Sequence, residues 1–308
     1  MIDPRFLRLL RCPASGATLS AGHEALETAD HRHVYPVSAE GIPMFASALL
    51  TEDARRQQVH YDRVAAQYLT NLTYPHTQEY MRFLDMALLR SAELLSLNTT
   101  AEICCGSAEG VALLKERIGT GVGVDISAAM LSAARKHHPE DRFLFVQGDA
   151  TRLPLASDSF DSVVMLGGIH HVNDRKALFR EIQRILKPGG RFLFREPVSD
   201  FFLWRLLRAV IYKVSPSLDA ATERPLIYKE TTEPLTSAGM RLIDWRTFGF
   251  LGYCFLMNSD VLVFNRLFRF MPGIRPLTRM MCALDNLTIH IPGMSRMGLI
   301  VIGIAEKP

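Results

Sequence analysis

Three carboxylates stand at the ends of three apolar runs in the sequence. Glu102 lies one residue before the end of the run "TAEI", Asp125 closes "GVGVD", and Asp149 follows "RFLFVQG". A carboxylate at the end of the second strand of an α/β unit can accept both hydroxyls of a ribose. Carboxylates at three neighbouring strand ends suit a ligand that combines an amine, a ribose and an adenine. The pattern therefore predicts a nucleoside-containing ligand at one edge of a sheet.

The segment "AEICCGSAEG" at 101–110 joins the first of these runs to a helical pattern. Its small residues predict a tight turn in which backbone N–H groups approach a polar ligand at the start of a helix. It lacks the first glycine of a G-x-G-x-x-G fingerprint, and no Walker pattern is present, so phosphate binding is disfavoured. Cys104 and Cys105 are adjacent, whereas zinc ligands usually come as C-x₂₋₄-C pairs. We interpret both as loop residues.

Two adjacent histidines, His170 and His171, follow a further apolar run, "FDSVVMLGG". Histidine titrates near neutral pH and can take a proton from a hydroxyl group. One of the two could act as a general base, and one or both could instead hold the loop by hydrogen bonds. Arg195 and Glu196 end the next run, "GRFLFREPV", and are secondary candidates for the same chemistry.

The elements that would position these residues alternate along the chain between residues 98 and 198. Five short apolar strands that alternate with helical patterns predict an α/β fold with a doubly wound, mostly parallel sheet. The ligand is then expected beyond the carboxyl ends of the strands. A short helix is expected in "LPLASDS". Later in the chain we expect a helix ending near Gly239, a strand after it, and a closing strand in "MGLIVIGIAEKP".

The composition is that of an ordinary globular protein. Of 308 residues, 48% are hydrophobic and 22% are charged, which argues against disorder. A net charge of +3 without charge runs disfavours nucleic-acid binding. Five scattered cysteines and the lack of a signal-peptide pattern predict reduced thiols in a cytoplasmic protein. No stretch has the length and apolarity of a transmembrane segment, and we interpret "FFLWRLLRAVIYKV" at 201–214 as an amphipathic core helix rather than a membrane-surface helix.

The stretch 100–197 resembles a class I S-adenosylmethionine-dependent methyltransferase, of the group that includes ubiquinone-biosynthesis-like small-molecule enzymes. The motifs that carry the resemblance are "EICCGSAEG", "GVDIS", "GDATRLPLASDSFDSVV", "GGIHHV" and "LKPGGRFLF". The resemblance implies a Rossmann-like fold with S-adenosylmethionine as cofactor. Cys104 and Ala108 stand where glycines are common in the family, a difference that bears on cofactor affinity.

Each part of the cofactor is assigned contacts by this resemblance. Glu102 and Gly106 would contact its methionine end, and Asp125 would bind the ribose. Ile126 would pack on the adenine, and Asp149 with Ala150 would recognise the adenine edge. The implied cofactor-binding residues are Tyr61, Glu102, Cys104, Gly106, Asp125, Ile126, Met130, Asp149, Ala150 and Leu166, and the implied catalytic residues are His170 and His171.

The first 50 residues have a pattern of their own. Through "FLRLLRCPASGATL" and "HVYPVSAEGIPMF" they are similar to the Trm112-like zinc-ribbon family. Of that family's metal-binding cysteines only Cys12 is present, and Ser15 stands in place of the second. We therefore predict a degenerate Trm112-like module at 1–50 that lacks most metal ligands and binds no metal.

The rest of the chain is predicted to contain two further units. Residues 51–97 would form two N-terminal lid helices. The first, at about 52–69, carries Tyr61 and Tyr68, and the second lies at about 77–95. Residues 98–308 would form the S-adenosylmethionine-binding domain. Two apolar insertions, at about 198–230 and 249–296, interrupt its second half.

These insertions are rich in aromatic and aliphatic residues, as the linings of small-molecule sites are. We therefore expect methyl transfer to oxygen or carbon of a small hydrophobic metabolite. The same fold could instead use bound S-adenosylmethionine for cyclisation, elimination or decarboxylation, or the chain could be a non-catalytic partner-binding protein. A small hydrophobic substrate and a second copy in a homodimer are the expected partners, and nucleic acid is not.

Overall fold

A computed structural model describes residues 2–46 except 23, five residues between 52 and 59, and 73–308 except 215–223 and 258–262. The helix expected at 52–69 lies outside the described residues apart from those five, which have helical backbone conformation. Tyr61 and Tyr68 therefore also lie outside them. The second expected lid helix is present as α2, Pro75–Ala92.

In the described part of the chain, the central sheet has seven strands in the order β6-β5-β4-β7-β8-β10-β9. Only β10 is antiparallel to its neighbours, β8 and β9. The doubly wound, mostly parallel sheet predicted from the sequence is confirmed, and so is the closing C-terminal strand. The strands are β4 Thr99–Ile103, β5 Thr120–Asp125, β6 Phe143–Gln147, β7 Phe160–Leu166, β8 Leu186–Pro197, β9 Arg241–Phe248 and β10 Ile300–Glu306.

Helices cover the sheet, and each of these helices buries one apolar side. In α5 the buried residues Leu178, Phe179, Ile182 and Ile185 recur at helical spacing and join one core cluster. Side-chain caps start two of the helices: Ser127 accepts from Met130 N at the start of α4, and Asp174 accepts from Ala177 N at the start of α5. The other helices are α1 Pro4–Leu7, α3 Glu109–Leu114, α4 Ala128–His137, α6 Phe202–Val214, α7 Tyr228–Ser237 and α8 Ile274–Ile289, and α5 is Arg175–Ile185.

The short helix expected in "LPLASDS" is absent, and this prediction is wrong. Residues 152–159 form turns and bridges instead. Their backbone groups are bound by side chains of α5: Glu181 accepts from Leu153 N at 2.7 Å, and Arg184 donates to the carbonyls of Leu153 and Leu155. Polar partners on a neighbouring helix thus replace the hydrogen bonds that a helix would have made internally.

The interpretation of residues 201–214 as a core helix is also wrong. Helix α6 buries Trp204, but Phe202, Leu206 and Val210 are exposed. Trp204 donates from Nε1 to the carbonyl of Met297 at 2.8 Å. The helix is thus attached to the rest of the fold through a narrow inner side. Periodicity alone cannot tell which way an amphipathic helix faces. None of the described helices is long and apolar enough to cross a bilayer.

Residues 2–46 form a small antiparallel sheet, with β1 at Leu19–Ala21, β2 at Ala25–Thr28 and β3 at Val34–Pro36. The segment after it lies along the outer edge of β6, where Phe45 N donates to the carbonyl of Gln147 at 2.9 Å. Cys12 lies 3.1 Å from the Tyr35 hydroxyl. Within the ranges that the structure describes, no cluster of three or more His, Cys, Asp or Glu could hold a metal ion.

Candidate active site

The chain order of the sheet reverses between β4 and β7, and this position defines the candidate site. Strands to one side of it run β4, β5, β6, and those to the other side run β7, β8. The loops that leave the carboxyl ends of neighbouring strands in such a sheet separate there and form a crevice for ligands. Apart from Tyr61, the sequence-predicted residues lie at the carboxyl ends of these strands or in the segments that follow them.

The loop from β4 to α3 has a backbone suited to glycine at three alternating positions. Cys104, Gly106 and Ala108 have φ values of 51°, 52° and 69°, all in the left-handed region. Non-glycine residues adopt this region at a cost of about 1 kcal/mol. The loop therefore keeps the shape that a glycine-rich turn would have, although Cys104 and Ala108 replace two glycines. Alternation of this kind turns backbone N–H groups toward a common concavity.

Glu102 is buried, and both of its oxygens bind the start of α3. Oε1 accepts from Gly110 N at 2.8 Å and Oε2 accepts from Val111 N at 2.7 Å. Burial raises the pKa of this carboxyl to about 8, against the lowering effect of the two amides. In this arrangement Glu102 holds the loop to the helix. Its predicted contact with the methionine end of a cofactor stays a prediction.

Asp125 joins the loops after β4 and β5. Its Oδ2 accepts from Gly106 N at 2.8 Å, and its Oδ1 accepts from Ser127 N at 2.9 Å. A carboxylate can accept about four hydrogen bonds, so these two amides orient the side chain and are compatible with ribose hydroxyls as further donors. Met130 packs close by: a Cβ on Gly106 would lie 3.2 Å from its Cε.

The loop after β6 is hydrogen-bonded to the end of β5, next to the Asp125 side chain. Gly148 N donates to the carbonyl of Asp125 at 2.9 Å, which brings the following Asp149 and Ala150 beside it. Asp149 Oδ1 accepts from the amide and the hydroxyl of Thr151, at 2.8 and 2.7 Å. Ile126, whose carbonyl accepts from Gln147 Nε2, lies between the two loops in sequence and in space.

Cys104 lies where these loops meet the loop after β7. A Cβ on Gly168 would lie 2.6 Å from the Cβ of Cys104, so the two backbones approach closely. Burial, together with the nearby carboxylates Asp125, Glu196 and Asp149, raises the pKa of the Cys104 thiol well above its usual range. A thiol held protonated is a poor nucleophile, in agreement with the interpretation of Cys104 as a loop residue.

The loop after β7 is organised by Glu196, which is fully buried at the end of β8. Its Oε1 accepts from Gly168 N at 2.7 Å and from Ile169 N at 2.8 Å, and its Oε2 lies 2.8 Å from Nδ1 of His170. Residues 169–171 form a single 3₁₀ turn around this carboxylate. The structure thus makes Glu196, which sequence reasoning ranked as secondary, the partner of a predicted catalytic residue.

Burial shapes the protonation of this pair. It lowers the pKa of His170, helped by Arg208 and Arg175, and it raises the pKa of Glu196 to about 7. His170 is therefore a neutral imidazole at physiological pH. The His171 ring lies against it, with ring centroids 3.8 Å apart and the ring planes tilted by 41°. Both histidines are at the site, and the His170 ring has the buried carboxylate as a direct partner.

Arg195 has a different place from the one its sequence position suggested. It is buried, and its Nη1 lies 2.6 Å from Asp85 of α2 while its Nη2 lies 3.9 Å from Glu109 of α3. Leu166, at the end of β7, packs against the same core cluster as Tyr253 and Met257 of the second apolar insertion. No local motif marks Tyr253 or Met257.

Comparison with known proteins agrees with this geometry. A methyltransferase-domain family model matches residues 101–194. A demethylmenaquinone methyltransferase of Mycobacterium marinum is 33% identical over 170 residues, which is 54% of this chain and 68% of the relative. The chain belongs to the class I S-adenosylmethionine-dependent methyltransferases. S-adenosylmethionine is accordingly the methyl donor of this methyltransferase.

Two further matches extend the comparison. A 2-phytyl-1,4-naphtoquinone methyltransferase of Nostoc punctiforme is 35% identical over 114 residues, 35% of this methyltransferase and 49% of the relative. The crystal structure of an S-adenosylmethionine-dependent methyltransferase from Thermotoga maritima superposes with a TM-score of 0.53 at 20% identity, over 81% of this chain and 99% of that one. At this identity the structural match supports the fold alone.

The residues of the methyltransferase fit the cofactor. The left-handed backbone at 104, 106 and 108 supplies the close approach of a glycine-rich turn, and the oriented carboxylate of Asp125 follows the second strand, as a ribose-binding acid does. Cys104 turns its side chain toward Gly168, so the substitution of a glycine is accommodated on the side of the β7 loop.

Proposed function

We propose that this methyltransferase methylates a hydroxyl oxygen or a ring carbon of a small hydrophobic, quinone-like acceptor, with His170 as the general base. The observation that carries the proposal is the 2.8 Å contact between His170 Nδ1 and the buried Glu196. It places an oriented neutral imidazole after β7, at the crevice where the chain order of the sheet reverses. The cofactor supplies the methyl group as an electrophilic sulfonium and is left as a thioether.

The hydrogen bond decides which nitrogen of His170 can act. When Glu196 is ionised it accepts from Nδ1–H, and Nε2 then carries the lone pair. Nε2 is thus the atom that takes the proton of the acceptor hydroxyl as the new bond to carbon forms. The same proton removal serves methylation of a ring carbon, because a phenolate directs charge to its ring. A positioned base of this kind contributes about 10²–10⁴-fold to rate.

The acceptor class is supported by the surroundings and by the relatives. Leu166, at the carboxyl end of β7, is a partly buried apolar side chain that packs against the same core cluster as Tyr253 and Met257 of the second apolar insertion. Burial raises the pKa of the Tyr253 hydroxyl to about 12, which keeps that group neutral. Sequence relatives methylate demethylmenaquinone and 2-phytyl-1,4-naphtoquinone by name. A quinol ring on an apolar tail has the hydroxyl and the hydrophobic surface that such a site can use.

The proposed cofactor contacts follow the geometry of the loops. Asp125 receives the ribose hydroxyls, and Ile126 packs on the adenine. Asp149 and the backbone of Ala150 receive the adenine edge. Gly106 and Met130 border the methionine end, and Glu102 acts there by holding the loop. Cytoplasmic location and the lack of a nucleic-acid partner complete the proposal on composition alone.

Calorimetric titration tests the cofactor contacts. The protein should bind S-adenosylmethionine and S-adenosylhomocysteine, and Asp125→Ala should weaken both, since each ribose hydroxyl loses a charged acceptor worth about 1.5–3 kcal/mol. Asp244→Ala, which removes a surface carboxylate paired with Arg246 on the outer strand β9, is the matched control. Equal binding by Asp125→Ala and the unmodified protein would contradict the ribose assignment.

Product analysis tests the reaction. With reduced naphthoquinones that carry an apolar tail, mass spectrometry should detect S-adenosylhomocysteine and an acceptor heavier by one methyl group. His170→Ala should lower kcat by about 10²–10⁴-fold while cofactor binding persists, and His171→Ala should lower it much less. A converted acceptor without S-adenosylhomocysteine would instead identify cyclisation, elimination or decarboxylation. Equal losses for the two histidine variants would overturn the choice of base.

A further inference from the structure

Helix α6 presents apolar side chains to solvent. Its inner side consists of Trp204, which is buried, and Arg208, which donates to the carbonyl of Val198. Phe202, Leu206 and Val210, which follow one another at helical spacing, are all exposed. The outward side of a helix in a globular protein is usually polar. In this helix the outward side is apolar, opposite to the usual arrangement.

Helix α8 repeats the same arrangement. Its buried residues, among them Thr278, Cys282 and Asp285, face α2. On the opposite side Met280, Leu284, Leu287 and Ile291 recur at intervals of three and four residues, and every one of them is exposed. A stripe at this spacing is the hydrophobic face of an amphipathic helix, and no element among the described residues covers it.

The segments between these helices connect the two faces. Trp204 of α6 packs against Phe250 with ring centroids 5.1 Å apart, and the turn of helix at Tyr253–Met257 that follows packs on α8. Leu251 and Phe255 are exposed on this connecting turn, and Leu267 and Phe270 are exposed on the 3₁₀ segment beside it. The exposed side chains of α6, 251–257, 263–271 and α8 are defined here as the apolar face.

The exposed charges of the described residues in the two segments that carry the apolar face are basic, and two of these residues, Arg275 and Arg279, are paired with Glu79 of α2. Segments 201–214 and 249–297 contain eight basic residues and two acidic ones, Asp260 and Asp285. Asp285 is buried, and Asp260 lies outside the described residues. Arg205, Arg269 and Arg296 are exposed. Exposed apolar groups with arginines among them match the interface of a membrane whose lipids are anionic.

A second copy of the chain fits this face less well. In a two-fold symmetric dimer the same patch meets itself, so the arginines of one copy would approach those of the other. Without exposed acidic partners in the described part of the two segments, such an interface has repulsion and no ion pairs. Anionic lipid headgroups instead supply the opposite charge.

From these observations we propose that the apolar face is a docking surface for an anionic lipid bilayer, on which the enzyme sits as a peripheral membrane protein. Its aliphatic and aromatic side chains enter the boundary between headgroups and acyl chains, and its arginines bind lipid phosphates. The proposal depends on exposure and charge and not on the identity of the acceptor, so it can fail or hold independently of the proposed reaction.

Vesicle co-sedimentation of the full-length protein tests the docking. The probes are vesicles of phosphatidylcholine alone and of phosphatidylcholine mixed with phosphatidylglycerol. We expect binding to the anionic vesicles, weaker binding to the neutral ones, and a decrease with added salt, because screening weakens the arginine contacts.

Single substitutions to glutamate locate the surface. Leu206 and Leu287 are 61% and 66% exposed, so Leu206→Glu and Leu287→Glu should fold normally. Each should lower affinity for anionic vesicles roughly tenfold, because a leucine that enters the interface loses its apolar burial and the glutamate is repelled by the lipids. Leu94→Glu makes the same change at a residue that is 88% exposed, before the amino end of β4, and should bind as the unmodified protein does.

Three results would overturn the proposal. The first is no binding to either vesicle, and the second is an equal loss in Leu94→Glu and the two face variants. The third is a dimer, detected by light scattering, that Leu206→Glu or Leu287→Glu dissociates while vesicle binding is unaffected. Melting temperatures of all variants, measured in parallel, keep a folding defect from being read as lost docking.

Discussion

At the scale of single residues, the site depends on one buried carboxylate that binds several groups at once. Glu196 binds two backbone amides and the His170 ring, so it shapes the turn after β7 and also sets the proton arrangement of the imidazole. Its raised pKa, about 7, means that this arrangement changes near physiological pH. Ionised Glu196 accepts from Nδ1–H and leaves Nε2 as a base, whereas protonated Glu196 donates to Nδ1 and places the hydrogen on Nε2.

The activity should therefore depend on pH with a known sign. Because Nε2 can accept a proton only when Glu196 is ionised, kcat/KM should rise with pH through about 7. Glu196→Gln removes this titration, so its activity should be low and nearly independent of pH in that range. Steady-state rates across the pH range check this. A profile that falls as pH rises through about 7 would contradict the assignment.

Protein stability should change with pH in the opposite sense. Glu102 has its pKa raised by burial from 4.5 to about 8, so the folded state binds this proton more tightly than the unfolded chain does. The associated stabilisation is complete below about pH 4.5 and is lost as pH rises through about 8. Thermal melts should show Tm falling over this window, and Glu102→Gln should flatten the slope. Glu93→Gln, at an exposed position, should leave the slope unchanged.

At the scale of elements, one aspartate attaches the second apolar insertion to the fold. Asp285 of α8 accepts from the backbone amides of Phe250, Gly252 and Tyr253 at 2.8–2.9 Å, and from the Tyr80 hydroxyl of α2. Three elements therefore meet at one buried carboxylate. The amides it binds start the turn of helix at Tyr253–Met257, so the insertion has a defined position rather than only an apolar surface.

Asp285→Ala should consequently destabilise the protein strongly. Removal of the carboxylate leaves three amides and a hydroxyl buried without a partner, which should cost about 3 kcal/mol or more in the free energy of unfolding. Asp285→Asn keeps one acceptor oxygen and should be intermediate. Urea denaturation measures both. Asp244→Ala, which breaks a surface pair with Arg246, should cost less than about 1 kcal/mol, and a similar cost at Asp285 would refute its role.

At the scale of the whole molecule, the first 46 residues and the central domain share a core. Phe6, Leu10 and Phe45 belong to the same buried cluster as Val146 and Leu155 of the central domain. Phe45 also covers the outer edge of β6 through its backbone, and an uncovered edge strand would invite pairing with other chains. The N-terminal module is thus part of the folding unit, whatever its resemblance to a metal-binding family.

Phe45→Ala should lower the stability of the entire protein. The side chain is 1% exposed and its ring lies 4.8 Å from that of Tyr35, so its loss creates a cavity that should cost about 3–5 kcal/mol. Calorimetry should show one transition at lower temperature. Two transitions, with the second unchanged, would mean that the module unfolds alone. Val34→Ala, at an exposed position of the same module, should have little effect.

Much of the fold could be predicted from the sequence because strand and helix periodicities are local. The alternation between residues 98 and 198, the closing strand and the place of Asp125 and Asp149 after strand ends all follow from short stretches. The loop "AEICCGSAEG" also retains its shape, since Cys104 and Ala108 adopt the left-handed backbone that the missing glycines would have had.

Only the tertiary structure decided which side chains meet and which faces remain exposed. Glu196 reaches His170 across two neighbouring strands, and Asp285 reaches Tyr80 from almost the other end of the chain. Helix α6 has the pattern of a core helix and yet turns its apolar side to solvent. Such outcomes depend on contacts between residues far apart in sequence, because burial, and with it the pKa of Glu196, exists only once the elements have packed.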